Sequence, residues 1–383
     1  MKFLALDSLR GLAAITVALV HLTAAGAFYD IPLVRNGGLA VPLFFVLSGF
    51  VISHAYFARL RTVEAGRAFM IRRFGRIYPL HLFTLALLVG LELAKLVLSR
   101  GVGIPSGQPP FSGSNDLSSL AANVFLLQAI IPFGTYSWNG PSWSISTEFY
   151  TYLLFAALLL GFRTRPLLAV AGAFLLSGAA LVWLQLSDLN LHKTEGEGLL
   201  ECVFGFFTGS LTYRLFLWTR QRWTPPGDLA TFAAAAIVLG IFWFDPFGPA
   251  ATILSFAVAI SIFAFDQGSI ARVLHARPFR FLGEISYSIY LIHFVILSGL
   301  NGTLRAAQSV LDVRLMRPVT DMIDFGPAGA MDLLALAYLC AVIGIAALTY
   351  RYIEVPGRRY FNRLSERSMQ ERVVAPIEQP ALP

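Results

Sequence analysis

The chain has 383 residues, of which only 13% are charged, against about 25% in an ordinary soluble domain. Apolar residues make up 56% and phenylalanine alone occurs 32 times. That composition excludes a soluble globular enzyme, a disordered chain and a nucleic-acid binder, and two cysteines exclude a disulfide framework. What remains is a polytopic membrane protein, in which a net charge of +7 marks loops rather than a nucleic-acid partner.

A helix needs roughly 20 mostly apolar residues to cross the hydrocarbon core. In chain order, that rule predicts spans over 4–28, 36–57, 76–98, 145–161, 166–186, 198–218, 228–245, 249–266, 281–300 and 332–352. The expected fold is therefore an all-α bundle of about ten transmembrane helices. A further apolar stretch, 118–133, is short and follows a Pro/Gly/Ser-rich loop, so it is expected to be interfacial or re-entrant. With the N-terminus in the cytoplasm, 22 of the 29 basic residues fall on the inner side, as the positive-inside rule asks. Counting 118–133 as a span would reverse every later loop and destroy that bias. Both termini are accordingly expected in the cytoplasm. The cluster His192 to Glu195 in an outer loop is expected to be incidental.

The N-terminal segment imitates a signal peptide, but Asp7, Arg10 and His21 sit inside what should be its apolar core. Residues 1–364 are expected to form one membrane domain, and 365–383 a polar, disordered cytoplasmic tail.

Ionisable residues inside membrane spans are costly, so each is a candidate for function. In the first span, Asp7, Arg10 and His21 are three and eleven positions apart, and eleven steps of about 100° return to within roughly 20° of the start. They therefore share a face. A packing hydrogen bond is the other reading of His21. Glu148 enters the fourth span at a depth comparable to His21, and the two can form an acid–base pair if their helices are neighbours. Arg72, Arg73 and Arg76, where a loop gives way to the third span, suit bidentate phosphate binding, with plain membrane topology as the competing account. Ser286, Tyr290 and His293 form a polar stripe along the ninth span, while Gly205 and Gly209 signal close helix packing. Glu201 has no assigned role. No Gly-rich phosphate loop, zinc signature or nucleophile elbow occurs, so no metal ligands are expected. A cationic inner end with an outer His/Glu site suits transfer of an activated group across the bundle. It equally suits a transporter or flippase for polyprenyl-linked or polysaccharide material.

Several short motifs occur in a fixed order: Leu6-Asp7-Ser8-Leu9-Arg10-Gly11 followed by His21, Ser48-Gly49-Phe50, Arg73 with Arg76, Pro141 to Tyr150, Ser286 to His293, and Tyr352-Ile353-Glu354-Val355-Pro356. In that order they resemble the acyltransferase-3 family of membrane acyltransferases, along nearly the whole chain. The resemblance implies an O-acyltransferase of the bacterial inner membrane with no permanently bound cofactor. It would take an acyl-CoA, acetyl-CoA in the first place, as co-substrate. The implied partner is a carbohydrate acceptor such as O-antigen, exopolysaccharide, peptidoglycan, a lipo-oligosaccharide or a macrolide. It also implies Arg10 with His21 as an essential pair, Arg73 with Arg76 as linked to the acyl donor, and Glu148 as an acidic motif position. The mechanism expected from them has Arg10, Arg73 and Arg76 bind the donor and His21 with Glu148 act as the catalytic pair. Asp7, Ser48, Gly49, Phe50, Trp143, Tyr290 and His293 would line the site. Direct transfer and an acyl-histidine intermediate are both open to such a site.

Overall fold

The structure, a computed structural model, describes residues 2–103, 108–131, 136–187, 196–223, 227–245, 247–318 and 320–373. His192, Lys193 and Glu195 therefore lie outside the described residues, as do residues 374–383 of the expected tail. Among the described residues, ten long helices match the ten apolar segments: α1 (Leu4–His21), α2 (Ala40–Tyr56), α3 (Val63–Val97), α4 (Trp143–Gly161), α5 (Pro166–Leu186), α6 (Glu197–Thr219), α7 (Gly227–Phe244), α8 (Pro249–Phe263), α9 (Ser286–Leu311) and α10 (Ala328–Thr349). An eleventh helix, α11 (Val355–Val373), continues from α10 through a π-helical turn at Tyr350–Glu354. It runs past the boundary expected at residue 365.

Eight of these segments are long and apolar enough to cross a membrane. A ninth qualifies if α8 and the short helix Gly268–Leu274, which bend by 89°, count as one span. The tenth, α6, misses on apolarity and not on length. It carries Glu197, Glu201, Arg214 and a run of Thr, Ser and Tyr, and packs against α2, α4, α5 and α8. A helix enclosed by protein has no lipid to satisfy, so polar residues can face the bundle interior.

Glycines set how closely α2 and α6 approach. A Cβ at Gly209 would land on the Val46 carbonyl oxygen, one at Gly205 would lie 2.8 Å from Phe45 Cβ, and one at Gly49 would land on the Phe206 carbonyl oxygen. The packing role expected for Gly205 and Gly209 is thus what the geometry gives, and Gly49 shares it. Since both faces are helix backbone, neither can yield by a rotamer change. Gly49→Ala is expected to destabilise the protein by about 1–3 kcal/mol, the cost typical of overpacking, and to lower its thermal midpoint in detergent. A wild-type midpoint for Gly49→Ala would contradict this account.

The loops sort to two ends. Arg61 Nη1 donates to the Arg163 carbonyl at 3.0 Å, Ala5 N to Asp266 Oδ1 at 3.1 Å, and Ser8 Oγ to the Leu274 carbonyl at 2.6 Å. These contacts gather the arginine-bearing loops and the start of α1 at one end, here the basic end. At the far end, Ala25 N donates to the Ile323 carbonyl and Asn36 Nδ2 to the Phe242 carbonyl.

One expectation changes. The stretch before residue 76 is helix and not loop. Thr62 caps α3 by accepting from Ala65 N at 3.2 Å, and 35 residues then run unbroken to Val97. Arg72, Arg73 and Arg76 consequently sit in the body of a helix. As expected, the described part of the 118–133 stretch, which ends at residue 131, does not span: it forms the eight-residue helix Leu117–Val124 followed by turns, far too short to cross. It is fastened to the start of α4, with Gln128 Nε2 donating to the Ser142 carbonyl at 3.0 Å and Ser146 Oγ to the Leu126 carbonyl at 2.5 Å.

Candidate active site

Toward the basic end, α1, α2, α3, α4 and α9 enclose a cavity of about 150 Å³. Arg10, Arg73 and Arg76 line it together with Ser48, Glu148, Tyr152, Ser286 and Tyr287. The three arginines are held differently. Arg10 Nη2 pairs with Asp7 at 3.1 Å and its Nε donates to Ser286 Oγ at 3.1 Å. Arg76 forms an ion pair with Glu354 and lies 5.4 Å over the Tyr287 ring. Glu354 is buried, and its second oxygen accepts from Ser288 Oγ at 2.8 Å. Arg73 rests on aromatic faces, 5.3 Å over Tyr56 and 5.9 Å over Phe69, with one bond of 3.4 Å to Tyr56 Oη. Among the described residues no carboxylate pairs with it. An arginine whose charge is cradled by rings and not by a carboxylate keeps its donors for an anion.

Glu148 is the acid of this cavity. Its Oε1 accepts from Tyr152 Oη at 2.5 Å, and the Tyr152 oxygen lies 2.9 Å from Ser48 Oγ. Because the phenol donates to the carboxylate, Ser48 donates to the phenol, giving the chain Ser48–Tyr152–Glu148.

A second cavity, of about 540 Å³, lies toward the far end. His21, Tyr136, Trp143, Glu201, Asp245 and Phe294 are among its lining residues. His21 ends α1 and is half-buried. Its Nδ1 lies 2.8 Å from the Val17 carbonyl oxygen. A carbonyl only accepts, so Nδ1 carries the hydrogen and Nε2 keeps the lone pair of a base. Glu201 is buried in the cavity wall, and its carboxylate, after burial itself, helps push the Tyr136 phenol above its usual range. Tyr290 and Val41 line both cavities, so a single wall separates them. The Tyr290 ring is pinned there, its Oη 2.9 Å from the Pro141 carbonyl and 2.8 Å from Ser144 Oγ.

The fold thus brings Arg10, Arg73, Arg76, Ser48, Glu148 and Tyr290 to one cavity, and His21, Trp143 and Tyr290 to the other. The expected contact between His21 and Glu148 is corrected. Glu148 turns toward the arginines, whereas His21 meets the rings of His293 and Phe294 at 5.1 and 6.1 Å. Four expected lining residues line neither cavity. Gly49 packs on α6, and Phe50 is fully buried against Phe3, Tyr213 and Phe216. Asp7 pairs with Arg10, and the His293 ring lies 5.1 Å from that of His21. Tyr152, Glu201 and Glu354 were not singled out for the site by sequence. The available signal was a carboxylate within or just after an apolar helix, as at Glu201 and Glu354.

A membrane bundle with a cationic cavity, a histidine-bearing cavity and one wall between them defines a class: polytopic membrane proteins with ionisable residues gathered inside the helix bundle. Within it, a family model described as an acyltransferase domain matches residues 3–351, and the chain belongs to that family, acyltransferase-3. It is 33% identical to Acyltransferase MdmB of Streptomyces mycarofaciens over 39% of this chain and 37% of that protein. It is 34% identical to Protein 2 in picA locus of Rhizobium radiobacter over 47% of this chain and 95% of the relative. It is 23% identical to Peptidoglycan O-acetyltransferase OatA of Listeria monocytogenes over 92% of this chain and 55% of OatA. The chain therefore spans only part of the length of two of these relatives. No solved structure shows a significant match.

Proposed function

We propose that the protein is a membrane O-acyltransferase of the bacterial inner membrane. In this reading an acyl-CoA, acetyl-CoA in the first place, binds at the basic end, which faces the cytoplasm. A carbohydrate hydroxyl in the far cavity receives the acyl group. The observation that carries the reading is the shared wall: a cavity with three arginines and a cavity with a histidine base, divided by Tyr290 and Val41. Arg10 and His21 are separated by about 16 Å along α1, a gap for the extended arm of the donor to cross. His21 Nε2 takes the proton of the acceptor hydroxyl, the oxygen bonds to the acyl carbon, and the carbon–sulfur bond breaks. The proton then passes from His21 to the departing thiolate. Glu148 has its place on the donor side, where its carboxylate and the phenol of Tyr152 order the cavity beside the arginines. Family membership supports acyl transfer, and a relative named as a peptidoglycan O-acetyltransferase supports a glycan-type acceptor.

The reading is tested with purified protein in nanodiscs, labelled acetyl-CoA and cell-envelope glycan, products being identified by mass spectrometry. The expected product is a glycan heavier by one acetyl group. Arg73→Ala is expected to raise the donor KM by about 10- to 100-fold, the loss of a charge-assisted hydrogen bond, with little change in the acceptor KM. An unchanged donor KM in well-folded Arg73→Ala protein would remove Arg73 from the donor site. With the protein in sealed proteoliposomes, movement of glycan across the membrane without donor consumption would replace acyl transfer by transport.

A further inference from the structure

The strongest unassigned group is His293. Its side chain is fully buried, it lines neither cavity, and its ring centroid lies 5.1 Å from that of His21. Nδ1 lies 3.2 Å from the Ile289 carbonyl and must donate to it, which leaves the lone pair on Nε2. Among the described residues that Nε2 has no hydrogen-bond partner. The rings around it belong to His21, Tyr290 and Phe294. His293 is also held from the backbone side, because Tyr338 Oη donates to its carbonyl at 3.1 Å.

Both imidazoles thus have Nδ1–H committed to the preceding turn of their own helix, and both keep Nε2 as an acceptor. Two acceptors cannot bond each other, and a buried acceptor left unpaired is a standing cost. One added proton removes the conflict. When His21 Nε2 gains a hydrogen it becomes a donor, and the neighbouring His293 ring, 5.1 Å away between centroids, carries an acceptor that has no other partner among the described residues. A contact made only after proton transfer favours the transition state over the resting enzyme, which is the condition for raising kcat without tightening substrate binding.

We propose that His293 is a positioning residue for His21, its Nε2 accepting the N–H that forms on His21 as the acceptor hydroxyl is deprotonated. The hydroxyl O–H bond breaks and the His21 Nε2–H bond forms. His293 holds that hydrogen bond without taking the proton, and the proton leaves His21 for the thiolate when the carbon–sulfur bond breaks. This role rests on the acyl-transfer reading.

The two nitrogens of His293 can be removed separately. His293→Asn keeps an N–H near the Nδ1 position for the Ile289 carbonyl and offers nothing at Nε2. His293→Gln places an amide oxygen near the Nε2 position. In the nanodisc assay, His293→Asn is expected to lower kcat by about 10- to 100-fold with donor and acceptor KM unchanged. His293→Gln is expected to regain most of that loss. A packing role predicts the opposite, with Asn active and Gln impaired, or a similar fall in both. Full kcat in His293→Asn would also overturn the proposal. If His293→Asn does not accumulate, His293→Met, apolar and of similar length, takes its place against Gln. The two levels of failure remain distinct. No acyl product from the wild-type protein refutes the acyl-transfer reading and this role with it, whereas an active wild type matched by His293→Asn or His293→Met refutes the role alone.

Discussion

His21→Gln is expected to lower turnover by about 10²- to 10⁴-fold, the usual contribution of a positioned general base, while the donor KM stays near that of the wild type. The separation follows from the geometry. His21 lines the far cavity and none of the arginine-bearing one, so its loss leaves the phosphate contacts in place. Stability is expected to change little, because His21 is the last residue of α1, half-buried, with a single hydrogen bond to its own helix. Donor titration with His21→Gln protein, followed by turnover with acceptor present, measures both quantities. A large rise in donor KM would mean that the two cavities act as one site. Retained turnover in folded His21→Gln protein would leave His21 as a packing residue. Incubation with labelled donor and no acceptor separates the two chemistries, since direct transfer leaves no label on His21.

The ten apolar segments were legible because lipid imposes one simple demand, a run long and apolar enough to cross. α6 shows where the demand stops applying: an interior helix can carry Glu197, Glu201 and Arg214 and fall below the apolarity of a membrane span, yet its length and its phenylalanines still mark it as a helix of the bundle. The polar face of α1 was legible for a related reason, since an arginine and a histidine in a span are too costly to be accidental. The partner of Glu148 was not legible. Depth along a span says nothing about which way a side chain turns, and the tyrosine four residues on, Tyr152, holds Glu148 on the side of the arginines. The beginning of α3 was hidden by its polarity. Residues 63–75 fail any membrane-span test, and their helix is stabilised by α11, where Phe361 packs on Gly75 and Ser365 Oγ reaches the Ala68 carbonyl at 3.3 Å. Ser48-Gly49-Phe50 mixes two purposes in three residues: Ser48 faces the cavity, whereas Gly49 and Phe50 set the helix packing behind it. A motif match identifies such residues without separating their roles.

Glu354 illustrates the longest-range part of the site, and it gives the sharpest division between folding and binding. It lies 278 positions from Arg76 in sequence, yet its carboxylate is buried against that guanidinium. Glu354→Ala is expected to destabilise the protein by about 3 kcal/mol, because it strands a largely buried charge. Replacing both partners, as Arg76→Met with Glu354→Leu, removes the charge together with its counter-charge and is expected to restore most of that stability. Donor affinity should not return with it if Arg76 contacts the phosphates. Thermal unfolding in detergent and donor KM, measured on both variants, separate the two effects. The double variant with wild-type donor KM would assign the ion pair to architecture alone and leave donor binding to Arg10 and Arg73. The expected order is a larger donor KM for Arg73→Ala than for the double variant. A phosphate approaching Arg76 must share it with Glu354, whereas Arg73 has only ring faces and one long hydroxyl contact to give up.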